Sequence, residues 1–321
     1  MTSATTTERL AALNHRHVTS SVSTNSELID ALQSGTLNTD DRQLLTAETQ
    51  TAGRGQHTRS WQSPAGNVYL SLYHPIDIPV SGLLSLIIGL ELAKMPIIQR
   101  INQHLKAQGK TPIGVKWAND LGFYQPQMQN TKCTDSPINE KSVIAFSKLA
   151  GILIEPVLLA GKLTGIVIGV GLNVTATPKL TEETLEGMSY QAISLQDICA
   201  SLMQAQNSHK LENLPTLAVI YQQISQALLA AVDCFNSIAT EKSKRQASTI
   251  DPVMSQFHQQ FQELDALKGL MIKVTQSYNK EERVIEGHAC GIDTNGCLQL
   301  QQDNGSISAI FTGRIDVISA S

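Results

Sequence analysis

Long apolar runs are missing from this chain of 321 residues. The longest, Leu83 to Leu92, is interrupted by Ser85, Gly89 and Glu91 and falls short of the roughly 20 residues that span a bilayer. The opening segment, MTSATTTERLAALNHRH, has no apolar core of the signal-peptide kind. A surplus of positive charge is missing too. A formal net charge of -4 gives no general attraction to nucleic acid, so any phosphate binding must be local. The five cysteines, Cys133, Cys199, Cys234, Cys290 and Cys297, are odd in number and show no CxxC spacing. That argues for reduced thiols in a reducing compartment over a disulfide framework. A cytoplasmic location away from membranes is the expectation. Also absent are the Walker A loop, the G-x-S-x-G elbow and the H-E-x-x-H zinc motif.

What is present is an ordinary globular composition, 41% hydrophobic and 16% charged, enough for one substantial core and a smaller one. Residues 24–35, TNSELIDALQSG, predict a short helix, with Thr24 and Glu27 as a capping box and Gly35 as its stop. Leu44 to Ala47 and Val68 to Tyr73 predict strands, Leu83 to Gln103 a helix, and Gly114 to Trp117 another strand. Two nearly continuous apolar runs, Leu149 to Val157 and Gly165 to Val174, suit neighbouring buried strands. Residues 195–263 look mainly helical, with Leu217, Ile220, Ile224 and Leu228 as a core stripe. From Leu270 short alternating strands and "NG" turns predict a small barrel. The partition expected is an extension at 1–17, a main domain at 18–266 with a polar insertion at about 123–147, and a C-terminal domain at 267–321.

Four segments carry more polar specificity than their structure requires. Ser23-Thr24-Asn25 fits a helix cap, yet amides there also suit a small polar head group. Gly53-Arg54-Gly55, continued through Gln56, His57, Thr58, Arg59, Ser60 and Trp61, fits a glycine-bearing hairpin. The hairpin explains the glycines but not Arg54 and Arg59, whose forked donors suit carboxylate or phosphate, nor Trp61, whose indole suits a flat ring. Lys116-Trp117-Ala118-Asn119-Asp120 fits a turn at a strand end, but it adds both charge signs. Lys148 fits the solvated end of a strand, and it precedes Gly151, where a ligand can approach closely. Gly169-Val170-Gly171 resembles a dinucleotide fingerprint but lacks its third glycine. His15-Arg16-His17 lies in a polar stretch and is read as solvated, not metal-bound.

Taken in order, these segments resemble the biotin protein ligases, the enzymes that biotinylate carboxylase carrier proteins. The matching text is Ser23-Thr24-Asn25, Gln50 to Gly55, Arg59-x-Trp61, Lys116 to Asp120, Lys148 to Glu155, Val167 to Val174, and Gly291-Ile292-Asp293-x-x-Gly296. The resemblance implies an α+β fold, a mixed central sheet flanked by helices like that of class II aminoacyl-tRNA synthetases and lipoate ligases. It also implies a C-terminal SH3-like β-barrel. The activity it implies is ATP- and Mg2+-dependent conversion of biotin to biotinyl-5′-AMP, then transfer to a lysine of the biotin carboxyl carrier protein of acetyl-CoA carboxylase. By the same resemblance, Ser23, Thr24, Asn25, Gln50, Gly53, Gly55, Gln56 and Gly151 would surround biotin. Arg54 and Lys148 would hold its carboxylate. Lys116, Asn119 and Asp120 would lie by the phosphates, with Arg59, Trp61 and Asn173 at the nucleotide. Asp120 is also the candidate base for the transfer step. A homodimer formed through the sheet is left open, and no metal-ligating set is assigned.

The departures are specific. The family pattern G-R-G-R has Gln56 at its second arginine, and its Gly-Gly-Glu near the C-terminus is replaced by Thr312-Gly313-Arg314. Some members repress transcription through an N-terminal winged helix. The residues before Ser23 are too few for one, so no DNA binding is expected. A lipoate or octanoate ligase or transferase on the same fold is the alternative. Because Gln56 brings no charge to an acyl-phosphate, Gln56→Arg is expected to slow the escape of biotinyl-AMP. Adenylate retained through gel filtration would report it, and equal retention in both proteins would detach Gln56 from that role.

Overall fold

The computed structural model describes residues 13–56, 59–125, 142–181, 185, 189–204, 213–244, 252–278 and 281–319. His57, Thr58 and residues 126–141 of the expected insertion lie outside the described residues. In chain order the first five strands are β1 (Asn14–Ser21), β2 (Gln43–Gln50), β3 (Val68–Pro75), β4 (Gly114–Lys116) and β5 (Asp120–Tyr124). The next four are β6 (Val143–Ile144), β7 (Phe146–Leu159), β8 (Lys162–Leu172) and β9 (Tyr190–Ala192). The larger sheet runs β1-β2-β3-β8-β7-β5-β4, with β9 pairing β7. β1 is parallel to β2 and β9 to β7, while the other pairs are antiparallel, so the sheet is mixed. Strand β1 takes in residues 14–17, and the His15 and His17 rings each lie 2.8 Å from Thr46 Oγ1.

The two long apolar runs pair as β7 and β8, as their composition predicts. Both faces of this sheet are covered. One face carries α1 (Thr24–Gln33), whose Leu28 and Leu32 pack with Leu45, Tyr73 and Val167. The other carries the main core, where Val68, Leu70 and Leu72 of β3 meet the remaining helices. These are α2 (Gly82–Ala93), α3 (Pro96–Ala107), α4 (Leu195–Met203), α5 (Leu217–Lys244) and α6 (Pro252–Leu264). The single helix expected over Leu83 to Gln103 is two, bent by 70°. Pro96, at the first turn of α3, cannot donate the hydrogen bond that would continue α2.

The stripe on α5 is core, with Ile220, Ile224 and Leu228 fully buried. By length and composition alone Leu217–Glu241 could cross a membrane, but half of that window is buried against the rest of the protein. Among the described residues Cys199, Cys234, Cys290 and Cys297 are free.

The last five strands are β10 (Met271–Tyr278), β11 (Glu281–Ile292), β12 (Leu298–Gln301), β13 (Ile307–Ile310) and β14 (Arg314–Ile318). With β6 they form a second, antiparallel sheet in the order β13-β12-β11-β10-β14-β6. Gly296 and Gly305 of the "NG" turns both sit at φ +81°, where a side chain would be strained. The pairing is an open path of six strands, so the closure of a barrel is not among the observed contacts. Strand β6 was not legible in the sequence, because two residues carry no period.

Truncation at the centre of the α5 stripe should show how much the main core depends on it. Ile224→Ala is expected to destabilise the protein by about 2–5 kcal/mol, read as a lower urea midpoint at unchanged m-value.

Candidate active site

Side chains along a strand alternate between faces, so residues 165, 167, 169 and 171 of β8 all point toward the α1 side. Three of these four are glycine. A Cβ on Gly169 would stand 2.3 Å from Asn25 Oδ1, and one on Gly171 would stand 2.5 Å from a Trp61 ring carbon. Opposite Gly171 on β7 is Gly151, whose Cβ would lie 3.0 Å from the same indole. The missing side chains let Asn25 and the Trp61 indole lie directly on the sheet backbone, and a hollow beside them is lined by Gly151, Gly169 and Gly171. Gly169-Val170-Gly171 is therefore strand rather than a phosphate-binding turn, which corrects the fingerprint resemblance.

The Gly-Arg-Gly segment is a hairpin closed by Gly55 N–H to Arg59 O at 2.7 Å and Trp61 N–H to Gly53 O at 2.8 Å. This fold-back lays Trp61 over the glycine floor. Gly53 is required by packing, since a Cβ there would meet Trp61 O at 2.4 Å. Gly55, Gln56 and Arg59 line the hollow, and Gly53 stands behind it. Arg54 reaches across to Glu155 of β7, with its guanidinium nitrogen 2.7 Å from the carboxylate. Asn25 Nδ2 donates to the same carboxylate oxygen at 2.9 Å.

Helix α1 begins one residue earlier than the capping box requires. Ser23 is the N-cap, and its side chain makes no capping hydrogen bond. Glu27, expected to cap, instead accepts from Ser21 Oγ and pairs with Arg16. Ser23 is buried and faces the hollow, so a polar hydroxyl is left for another use. Gln50 Oε1 accepts from the Thr24 amide at 2.9 Å and faces the hollow beside Ser23 and Asn25. Ser71 Oγ lies 2.5 Å from Asn25 Oδ1 and fixes that amide's orientation.

The charged groups meet where β5, β7 and β9 run side by side. Lys148 Nζ lies 2.8 Å from Asp120 Oδ1. Tyr190 donates to Asp120 Oδ2 at 2.9 Å. Lys116, 3% exposed, lies behind Tyr190 instead of on the wall, and its Nζ donates to the Tyr190 hydroxyl at 3.2 Å. Burial pushes its ammonium down from 10.5 to about 8, against the attraction of Asp120. Asn119 Nδ2 and O both bond to Ile152, which ties the turn after β4 onto β7. Asn173 is buried, donates to Ile193 O at 3.2 Å and also lines the hollow.

The structure therefore gathers the singled-out residues around one hollow, with Gly53 and Lys116 in the layer behind. Sequence reasoning overlooked Glu155, Ser71 and Tyr190. Glu155 ends a motif already noted, so its carboxylate was available as a signal. Ser71 sits in an apolar strand, where a lone serine is weak, and Tyr190 follows a polar stretch with no period. Among the described residues no group of three His, Cys, Asp or Glu side chains is placed to hold a metal ion.

Fold and hollow together define an α+β protein whose mixed sheet carries a polar hollow, lined by two cations that each face a carboxylate. Residues 18–173 match the model of the Biotin/lipoate A/B protein ligase family. The chain is 30% identical over 301 residues to the bifunctional ligase/repressor BirA of Salmonella typhimurium, covering 93% of this chain and 72% of that protein. It is 34% identical over 163 residues to the biotin–[acetyl-CoA-carboxylase] ligase of Mycobacterium tuberculosis, covering 49% of this chain and 48% of that one. The solved biotin protein ligase of Aquifex aeolicus in complex with biotin and ATP shares the fold, with a TM-score of 0.57 and 20% identity. That match covers 96% of this chain and 99% of the other. The chain belongs to the biotin/lipoate A/B protein ligase family.

The lowered Lys116 has a consequence for stability. Between pH 8 and 10.5 the unfolded chain binds more protons at this lysine than the folded one, so its contribution to stability rises with pH. The cost of burying its charge is fully present below pH 8. In Lys116→Met that cost is gone, and urea midpoints compared across this window should shift steadily in favour of wild type as pH rises. Parallel curves for the two proteins would show that Lys116 keeps its proton throughout.

Proposed function

We propose that this protein is an ATP-dependent ligase that adenylates biotin and transfers it to a lysine of a biotin carboxyl carrier protein. The observation that carries the reading is one hollow uniting Arg54, Lys148 and Asp120 with the polar wall of Ser23, Thr24, Asn25 and Gln50. The names of the relatives support the choice of biotin and ATP. A free carboxylate is a poor acyl donor, and attack of its oxygen on the α-phosphorus, with loss of pyrophosphate, creates a good leaving group. Negative charge grows at phosphorus in that step, so fixed cations and donors supply much of the catalysis. Arg54 and Lys148 are each held by a carboxylate partner, Glu155 and Asp120, and an arriving anion competes for both. Trp61 on its glycine floor offers a flat face to the purine ring, beside Asn173 and Arg59. Mg2+ would come with the nucleotide, held by phosphate oxygens and water with few protein ligands, the usual manner for this ion.

In the second step an amine attacks the acyl carbon, AMP leaves with its oxygen, and the amine gives up a proton. We place the catalytic unit at 18–266 and read the second sheet, within 267–321, as SH3-like. A cytoplasmic setting fits the free thiols. The repressor half of the BirA name is not assigned to this chain, and retardation of an operator fragment in a gel would overturn that.

The family name covers lipoate as well as biotin, so the decisive assay is pyrophosphate release with biotin, lipoate and octanoate in parallel. Release with biotin alone is the expected result, followed by labelling of a carrier domain. Absence of biotin-dependent release would refute the reading. Lys148→Ala is expected to abolish adenylate formation while leaving circular dichroism unchanged, and normal labelling by that variant would move the site elsewhere.

A further inference from the structure

Tyr190 stands at the centre of the charged cluster, yet no motif marks it. Its hydroxyl donates to Asp120 Oδ2 at 2.9 Å and receives Lys116 Nζ at 3.2 Å. Its ring lies against both ammonium groups, 4.3 Å from Lys116 Nζ and 4.9 Å from Lys148 Nζ. The ring is held by β9, whose pairing sets Tyr190 opposite Phe146 and Ala192 opposite Lys148. Burial and the neighbouring Asp120 keep the phenol protonated, which preserves it as a donor.

We propose that Tyr190 is a positioning residue for the acyl-transfer step, fixing Asp120 so that its free oxygen faces the incoming amine. The inference rests on the biotin-ligase reading and deepens it. Before ligand binds, Asp120 has two partners, one on each oxygen: Lys148 on Oδ1 and Tyr190 on Oδ2. Lys148 is the partner that a ligand anion draws away. Tyr190 is the one that stays, because β9 is hydrogen-bonded to β7 and the hydroxyl is anchored from behind by Lys116. An ammonium donating into the phenol oxygen polarises its O–H and strengthens the bond to Asp120. Asp120 then keeps its orientation with Oδ1 open. In the transfer step the amine nitrogen bonds to the acyl carbon and the acyl–phosphate C–O bond breaks. AMP leaves with that electron pair, and the amine proton passes to Asp120 Oδ1.

The test separates the two half-reactions. Pyrophosphate release reports adenylation, and single-turnover labelling of an acetyl-CoA carboxylase carrier domain by enzyme preloaded with biotinyl-AMP reports transfer. Tyr190→Phe keeps the ring and removes the hydroxyl. Its transfer rate is expected to fall about 10- to 100-fold, clearly more than its adenylation rate, with the KM for the carrier nearly unchanged. Equal losses in both half-reactions would assign Tyr190 a merely structural role, and a wild-type transfer rate would also overturn the proposal. Tyr190→His against Tyr190→Leu gives the same comparison should the Phe variant not fold. The histidine keeps a donor and should transfer faster, and equal rates would count against the proposal. If wild type itself releases no pyrophosphate with biotin, the function reading fails. If wild type is active and Y190F transfers normally, only the role of Tyr190 fails.

Discussion

The site exists because one face of a buried sheet lacks side chains where its neighbours have them. Gly169 and Gly171 on β8 and Gly151 on β7 let Asn25 and Trp61 lie directly on the backbone, since any Cβ there would stand 3.0 Å or less from one of them. Interiors pack densely, so an opening of this kind needs support from its rim. Asn25 is hydrogen-bonded to both Ser71 and Glu155, and Trp61, turned back by its bond to Gly53, lies beside them. Helix α1 can therefore present Ser23 to the hollow without collapsing into it.

Charge is arranged in the same economical manner. Burying an isolated ion is expensive, and removing one partner of a buried pair leaves the other uncompensated. Here two cations that face the hollow each have a carboxylate of the protein beside them, Arg54 with Glu155 and Lys148 with Asp120. Both pairs retain some contact with water, as Lys148 is 20% and Arg54 39% exposed at the side chain. Lys116 is different. It is buried behind Tyr190, with its ammonium against that ring and hydroxyl.

Much of this was legible in the sequence, and for definite reasons. The runs Leu149 to Val157 and Gly165 to Val174 announced paired strands because continuous β-branched content has few other uses. The α5 stripe was legible by its spacing. The motif residues were recognisable in order along the chain, though the assignment of biotin and nucleotide roles to individual side chains is a proposal. What escaped was either too short to show a period or dependent on tertiary contacts. Strand β6 has two residues. The break at Pro96 was overridden by the apolar character on either side. The Thr24 cap failed because Glu27 finds better partners in Ser21 and Arg16, an interaction between elements that local pattern cannot weigh. Tyr190 carried no local signal, since its meaning comes from three residues distant in sequence.

The second sheet bears on the site more directly than its distance along the chain suggests. Trp117, between Lys116 and Asp120, donates its indole N–H to Gly296 O at 2.9 Å in the first "NG" turn. Strand β6, which leads straight into β7 and Lys148, pairs with β14 through Ile144 and Val317. Ser189, beside Tyr190, bonds Asp316 of β14 at 3.3 Å. All three segments that bring Lys116, Lys148 and Tyr190 together are thus tied to one neighbouring sheet. An ammonium, a carboxylate and a phenol can hold a line of short contacts only if their backbones keep register within a fraction of an ångström. Packed sheets transmit strain because they compress little. The C-terminal strands are therefore part of what holds the cluster in place, and changes at the Gly296 turn should reach Asp120 through Trp117 without touching the hollow.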